Sequence, residues 1–163
     1  MSAPAAKPLL PLLRGLLGVL LLWAAVSKLA NPTEFLGSIY AYNLPLPQAL
    51  LKTTAIVLPW VELLCGLLLL AGFWSQTALL IVTGLLVGFV IATGQAWVRG
   101  IDIACGCFNL KIFGLTDHFP GLGRFLESVS FAFFRNLLLT GLAGFLLRQE
   151  LRAPPAARAI AGE

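Results

Sequence analysis

The sequence predicts an all-α membrane protein, a bundle of four transmembrane helices, on three observations. Hydrophobic residues make up 59% of the 163 and charged residues only 11%. Soluble domains carry about 25% charged residues, so this chain has too little charge to face water all round. Its mean hydropathy is +0.92. The apolar residues gather in four stretches, each near the ~20 residues needed to cross a hydrocarbon core ~30 Å thick. Residues 1–152 are read as one transmembrane domain without a separate soluble module.

The first span runs from about Leu9 to Leu29. Ala25-Val26-Ser27 behind a Leu-rich run is similar to the cleavage site of a secretory signal. Arg14 interrupts that run, which is also longer than a signal core of roughly 7–15 residues, so a retained helix is expected. Asn31 to Gln48, with Pro32, Pro45 and Pro47, forms a polar-aromatic connection. The second span covers about Thr53 to Ala71 and the third about Thr77 to Val98. Ala71-Gly72-Phe73-Trp74-Ser75-Gln76 between them is short enough only for a tight turn, which makes the two an antiparallel hairpin. Gly84 and Gly88 read as a small-xxx-small pair for close helix contact. The fourth span runs from about Ser128 to Leu147, and the Pro- and Ala-rich tail 153–163 is expected to be disordered. Trp23, Trp60, Trp74 and Trp97 fall mainly near span ends, where amphipathic rings settle.

Four spans place both termini on one side and the two larger loops on the other. Basic residues divide evenly between the sides, so they do not set orientation alone. Arg14 and Arg148, close to the membrane ends, tip the reading to cytoplasmic termini in a bacterial inner membrane. The net charge of +4 then suits anionic lipid. No basic face is available for nucleic acid.

Between the third and fourth spans lies Asp102-Ile103-Ala104-Cys105-Gly106-Cys107-Phe108. A disulfide between residues one apart closes a small, strained ring, and strained disulfides are the labile or catalytic ones. Gly106 permits backbone angles closed to other residues. Three readings of Cys105 and Cys107 stay open. A reversible redox pair leads. A structural staple is the second. The third is part of a metal site with His118, or a Cu(I) site, since soft thiolates favour that ion. A closed zinc site needs four ligands and the fourth is missing, so no complete metal site is expected. A lone loop histidine such as His118 is usually solvated.

Charges inside a bilayer are costly and usually face the bundle interior in partnership. Glu62 sits near the middle of the second span and Arg135 about a third of the way along the fourth. Both helices run in the same direction, so the two fall at comparable depth and are expected to pair. Pro59 frees a carbonyl one turn earlier and is expected to bend the helix. Cys65, three residues after Glu62, shares its face; it is a small apolar residue or, less readily, a participant in thiol exchange. Lys28 closes the first helix, where it could snorkel to the interface with Glu34 as a neighbour.

One family matches these pieces together. Ser27-Lys28-Leu29 with Asn31-Pro32 and Phe35, Tyr42-Asn43-Leu44-Pro45, and Leu58-Pro59-Trp60-Val61-Glu62-Leu63 plus Gly66 come first. Arg99-Gly100-Ile101-Asp102 with Cys105-Gly106-Cys107-Phe108, then Arg135-Asn136, complete the order. From about Gly15 to Leu147 the chain resembles the MauE branch of the DoxX-like membrane proteins, the methylamine-utilisation family. The resemblance implies a four-helix membrane protein. The family's typical member is linked to maturation of a disulfide-rich, quinone-bearing periplasmic amine dehydrogenase beside a thioredoxin-like partner. Related proteins occur in settings unconnected with methylamine, so that substrate does not transfer. The resemblance therefore implies a thiol–disulfide or electron relay, in which Cys105 and Cys107 exchange with such a partner and electrons leave through a quinone or a second protein. Arg99 or Lys111 would help by lowering a thiol pKa. No signature of a bound cofactor is present. Two rival classes remain: a non-enzymatic assembly subunit of a larger membrane complex, and a transporter lined by Glu62 and Arg135.

Overall fold

The computed structural model describes residues 9–100 and 128–152. Among these residues five helices follow in order: α1 (Leu9–Ala30), α2 (Pro32–Ala41), α3 (Gln48–Ala71), α4 (Ser75–Val98) and α5 (Val129–Arg152). Four of these, α1, α3, α4 and α5, are long and apolar enough to cross a membrane. The protein is an all-α bundle of membrane-spanning helices, as the composition predicts. Cys105, Cys107, Lys111, His118 and the tail from Ala153 lie outside the described residues.

The α3–α4 hairpin closes in three residues. Gly72 caps α3 in the left-handed region at φ 75°, and Trp74 enters α4 at φ 48°. Left-handed backbone is cheap for glycine, so Gly72 is where the chain reverses. Arg14 lies against this turn, its Nη2 3.0 Å from where a Cβ on Gly72 would sit. The same guanidinium meets Glu150 of α5 at 3.4 Å. This one side chain ties α1, the hairpin turn and α5 together at the termini end.

The polar-aromatic connection contains α2. Pro32 opens that helix, where its missing N–H is no loss, and Glu34 in the first turn complements the helix dipole. Phe35 and Ile39, one turn apart, bury one face against Leu51 of α3. The helix α3 starts before its expected boundary, directly after Pro47, and runs on through Pro59.

Around the bundle the order is α1, α3, α4, α5. The pairs α1–α3 and α4–α5 pack along much of their length, whereas α1 touches α5 only sparsely and α3 lies diagonal to α5. The interior holds Leu17, Leu21, Leu69, Leu79, Val82 and Leu146. Outward faces are equally apolar: Leu12 is 68% exposed and Leu138 71%. A soluble bundle could not present such a surface, but hydrocarbon can cover it.

The glycines divide unexpectedly. A Cβ on Gly84 or Gly88 would meet nothing within 4 Å, so within the described residues this pair mediates no helix contact. Close approach occurs at Gly18 and Gly66 instead. A Cβ on Gly18 would lie 3.1 Å from the Gly66 carbonyl oxygen, and one on Gly66 would lie 2.9 Å from Leu22 Cγ. Backbones of α1 and α3 meet at these two residues. Gly66→Leu is therefore expected to destabilise the bundle by about 2 kcal/mol through overpacking, while Gly84→Leu leaves it within ~0.5 kcal/mol. Melting of the purified protein in one detergent compares the two; equal losses would contradict the assignment of the contact.

Candidate functional site

Leu17, Leu21, Ala25 and Lys28 are all buried and share one stripe of α1. Pro59, Glu62, Cys65, Gly66 and Leu69 form the buried stripe of α3. Each charge therefore sits in register with the inward face of its helix. From the Gly18–Gly66 crossing, Lys28 lies roughly 15 Å along α1 and Glu62 roughly 6 Å along α3, both toward the loop end. Side chains lean toward the N-terminus of their own helix. In this antiparallel pair the lysine leans down and the glutamate up, which closes the gap of roughly 9 Å. Lys28 Nζ donates to both Glu62 oxygens, each at 2.6 Å.

The pair is almost sealed, with side chains 1% and 2% exposed. Two rings complete the enclosure. The ammonium lies 5.3 Å from the Phe35 ring centroid and 4.9 Å from that of Phe89, within cation–π range. Phe35 arrives on α2, so the short helix that folds over the end of α1 is what removes Lys28 from the interface. Lys28 does not snorkel. Glu34, its expected neighbour, lies on the exposed side of α2.

The carboxylate expected to meet Arg135 meets Lys28. The helices α3 and α5, which carry Glu62 and Arg135, are diagonal in the bundle. They also run in the same direction, so their side chains lean in parallel rather than toward each other. Arg135 lines, with Lys28, Asn136, Leu20, Leu86 and Leu139, a small cavity of about 40 Å³ between α1, α4 and α5.

Cys65 is 2% exposed and packed in the apolar core. Its sulfur is one turn from Glu62 but away from the loop end. Among the described residues no group of three metal-binding side chains occurs. Arg99 caps the C-terminus of α4, its Nη1 donating to the Asn43 carbonyl at 3.1 Å. Trp97, Phe133 and Phe134 form an aromatic cluster beside it, with ring centroids 5.5 to 5.7 Å apart. Sequence reasoning missed Phe35, Phe89 and Asn136 as parts of this centre, and missed the role of Lys28. The signal was present for Lys28, which continues the 17-21-25 stripe; Phe89 and Phe35 look like ordinary apolar residues until the lysine is placed.

Fold and site together define a small multi-pass helical membrane protein with a sealed ion pair among its described residues. The family model described as methylamine utilisation protein MauE matches residues 6–149, and the chain belongs to that family. It is 38% identical over 85 residues to the methylamine utilization protein MauE of Methylophilus methylotrophus, covering 52% of this chain and 44% of that protein. It is 36% identical over 97 residues to the MauE of Methylorubrum extorquens, covering 59% and 52%. The chain thus spans about half the length of the relatives it matches. No solved structure matches it.

Lys28→Met leaves the Glu62 carboxylate buried without its ammonium and is expected to destabilise the protein by about 3 kcal/mol or more. Replacing both partners, Lys28→Met with Glu62→Leu, removes both charges and is expected to recover most of that loss. A double-mutant cycle on detergent melting measures the coupling. Additive losses would show that the two side chains do not depend on each other.

Proposed function

We propose that this protein is a thiol–disulfide relay of a bacterial inner membrane, supporting maturation of extracytoplasmic redox proteins. The observation that carries the reading is a coincidence of place. The sealed Lys28–Glu62 pair sits in the half of the bundle where α4 ends at Val98 and α5 begins at Val129. The chain between those ends carries Cys105 and Cys107. An intramembrane ionisable residue is a functional-site hypothesis by default, and the segment that follows α4 in the sequence carries two closely spaced thiols. Membership of the MauE family supports the same reading.

In this scheme the termini are cytoplasmic and the loop end faces the compartment where disulfides persist. The Cys105–Cys107 disulfide is attacked by a thiolate of a thioredoxin-like partner, giving a mixed disulfide and one free thiolate. The partner's second thiolate then releases the reduced pair, so two electrons pass to this protein. A lipid-soluble quinone takes those two electrons with two protons, becoming quinol and restoring the disulfide. Arg99, at the C-terminus of α4, supplies positive charge that favours thiolate over thiol. Cys65, in the core, has no part in the exchange.

Cys105→Ser and Cys107→Ser, made singly, test the scheme. One of them is expected to accumulate a mixed disulfide with a thioredoxin-fold protein, seen as a shifted band that dithiothreitol removes. Cys65→Ala should leave that trapping unchanged. Repeated failure of both single variants to trap anything, with maturation intact in the double variant, would overturn the relay and favour an assembly subunit with a loop staple.

A further inference from the structure

The cavity between α1, α4 and α5 has a chemistry that the ion pair does not explain. Its walls are Leu17, Leu20, Leu21, Ala24, Leu86 and Leu139, and its polar end is formed by Lys28, Arg135 and Asn136. Asn136 is 3% exposed, and its Nδ2 is buried with no hydrogen-bond partner. A buried amide nitrogen left unmatched carries a desolvation penalty. Lys28 uses its ammonium on both oxygens of Glu62, yet three N–H groups on two acceptors leave one to spare. Lysine and arginine have no acceptor atoms at all. What converges on this cavity is donors.

The shape adds a second constraint. Packing between α1 and α5 is sparse, and Leu20, Ala24, Arg135 and Leu139 on the two sides are only half-buried. The cleft therefore opens sideways between two membrane-spanning helices, where the solvent is hydrocarbon. A volume of about 40 Å³ leaves room at the polar end for a group larger than a single water.

We propose that this cleft binds a lipid-phase molecule through an acceptor oxygen, a carbonyl or a carboxylate, seated against Asn136, Lys28 and Arg135. Its apolar body leaves between α1 and α5 into the bilayer. The site stands on the geometry of the described helices and does not rest on the thiol relay. A neutral quinone and a fatty carboxylate present the same oxygen, and the test separates them.

The full chain in detergent is photolabelled with a 16-carbon fatty acid carrying a diazirine on its tail, and the labelled residues are mapped by mass spectrometry. Labelling is expected to saturate and to fall on α1 and α5 around Leu20, Ala24 and Leu139. Competition by oleate alone assigns a carboxylate, and competition by decylubiquinone assigns a neutral carbonyl. Asn136→Leu, which keeps the volume and removes the donor, should weaken half-saturation roughly fivefold. Ala24→Phe, which fills the cleft, should abolish labelling there. The Cys105→Ser/Cys107→Ser variant should label like the native chain, so failure of the relay and failure of this site read out separately. Non-saturating label spread over outward residues such as Leu12 and Leu138, or label indifferent to both cleft variants, would overturn the proposal and leave water as the occupant.

Discussion

A lysine and a glutamate sealed from water inside a membrane protein constrain everything around them. Each ion alone would face a desolvation penalty of several kcal/mol, and no solvent is at hand to relieve it. The pair survives because two oxygens, one ammonium and two ring faces meet at short range. That meeting requires α1 and α3 to hold one axial register, which the Gly18–Gly66 contact sets. It also requires a lid over the end of α1. Phe35 supplies it, which explains why α2 is a helix with an inward aromatic rather than a loose connection. Buried ion pairs add little net stability compared with apolar packing; what this one adds is specificity of arrangement.

The fold was legible because the hydrocarbon core demands long apolar segments, and nothing else in a chain this poor in charge could satisfy that demand. The helix α3 begins at Gln48, before the expected Thr53, directly after Pro47, and α5 runs to Arg152, past the expected Leu147. The site was legible in its residue types but not its pairings. Depth along a helix can be read from a sequence; the order of helices around a bundle cannot. Glu62 and Arg135 share a depth yet sit on diagonal helices, and Lys28, two turns nearer the interface, reaches the acid because the two side chains lean together.

The two glycine pairs teach the same point from packing. Gly84 and Gly88 have the spacing of a contact motif and line open space, among Leu85, Phe89 and Leu58, in a cavity of about 300 Å³. Gly18 and Gly66 are in different helices and carry no motif spacing at all. Spacing within one helix shows which residues share a face. Whether a neighbour's backbone comes to that face depends on the other helix.

The bundle is asymmetric end to end, and this bears on function more than any single residue. At the termini end Arg14 spans three elements, and its ion pair with Glu150 remains partly exposed, with side chains 23% and 31% accessible; such a surface pair closes the bundle and does little else. In the loop half stand Lys28, Glu62, Arg135 and Asn136, with Thr93 also buried. A bundle that served only to fill space between larger subunits would have no cause to concentrate its expensive groups in one half. The concentration lies toward the half where α4 ends at Val98 and α5 begins at Val129.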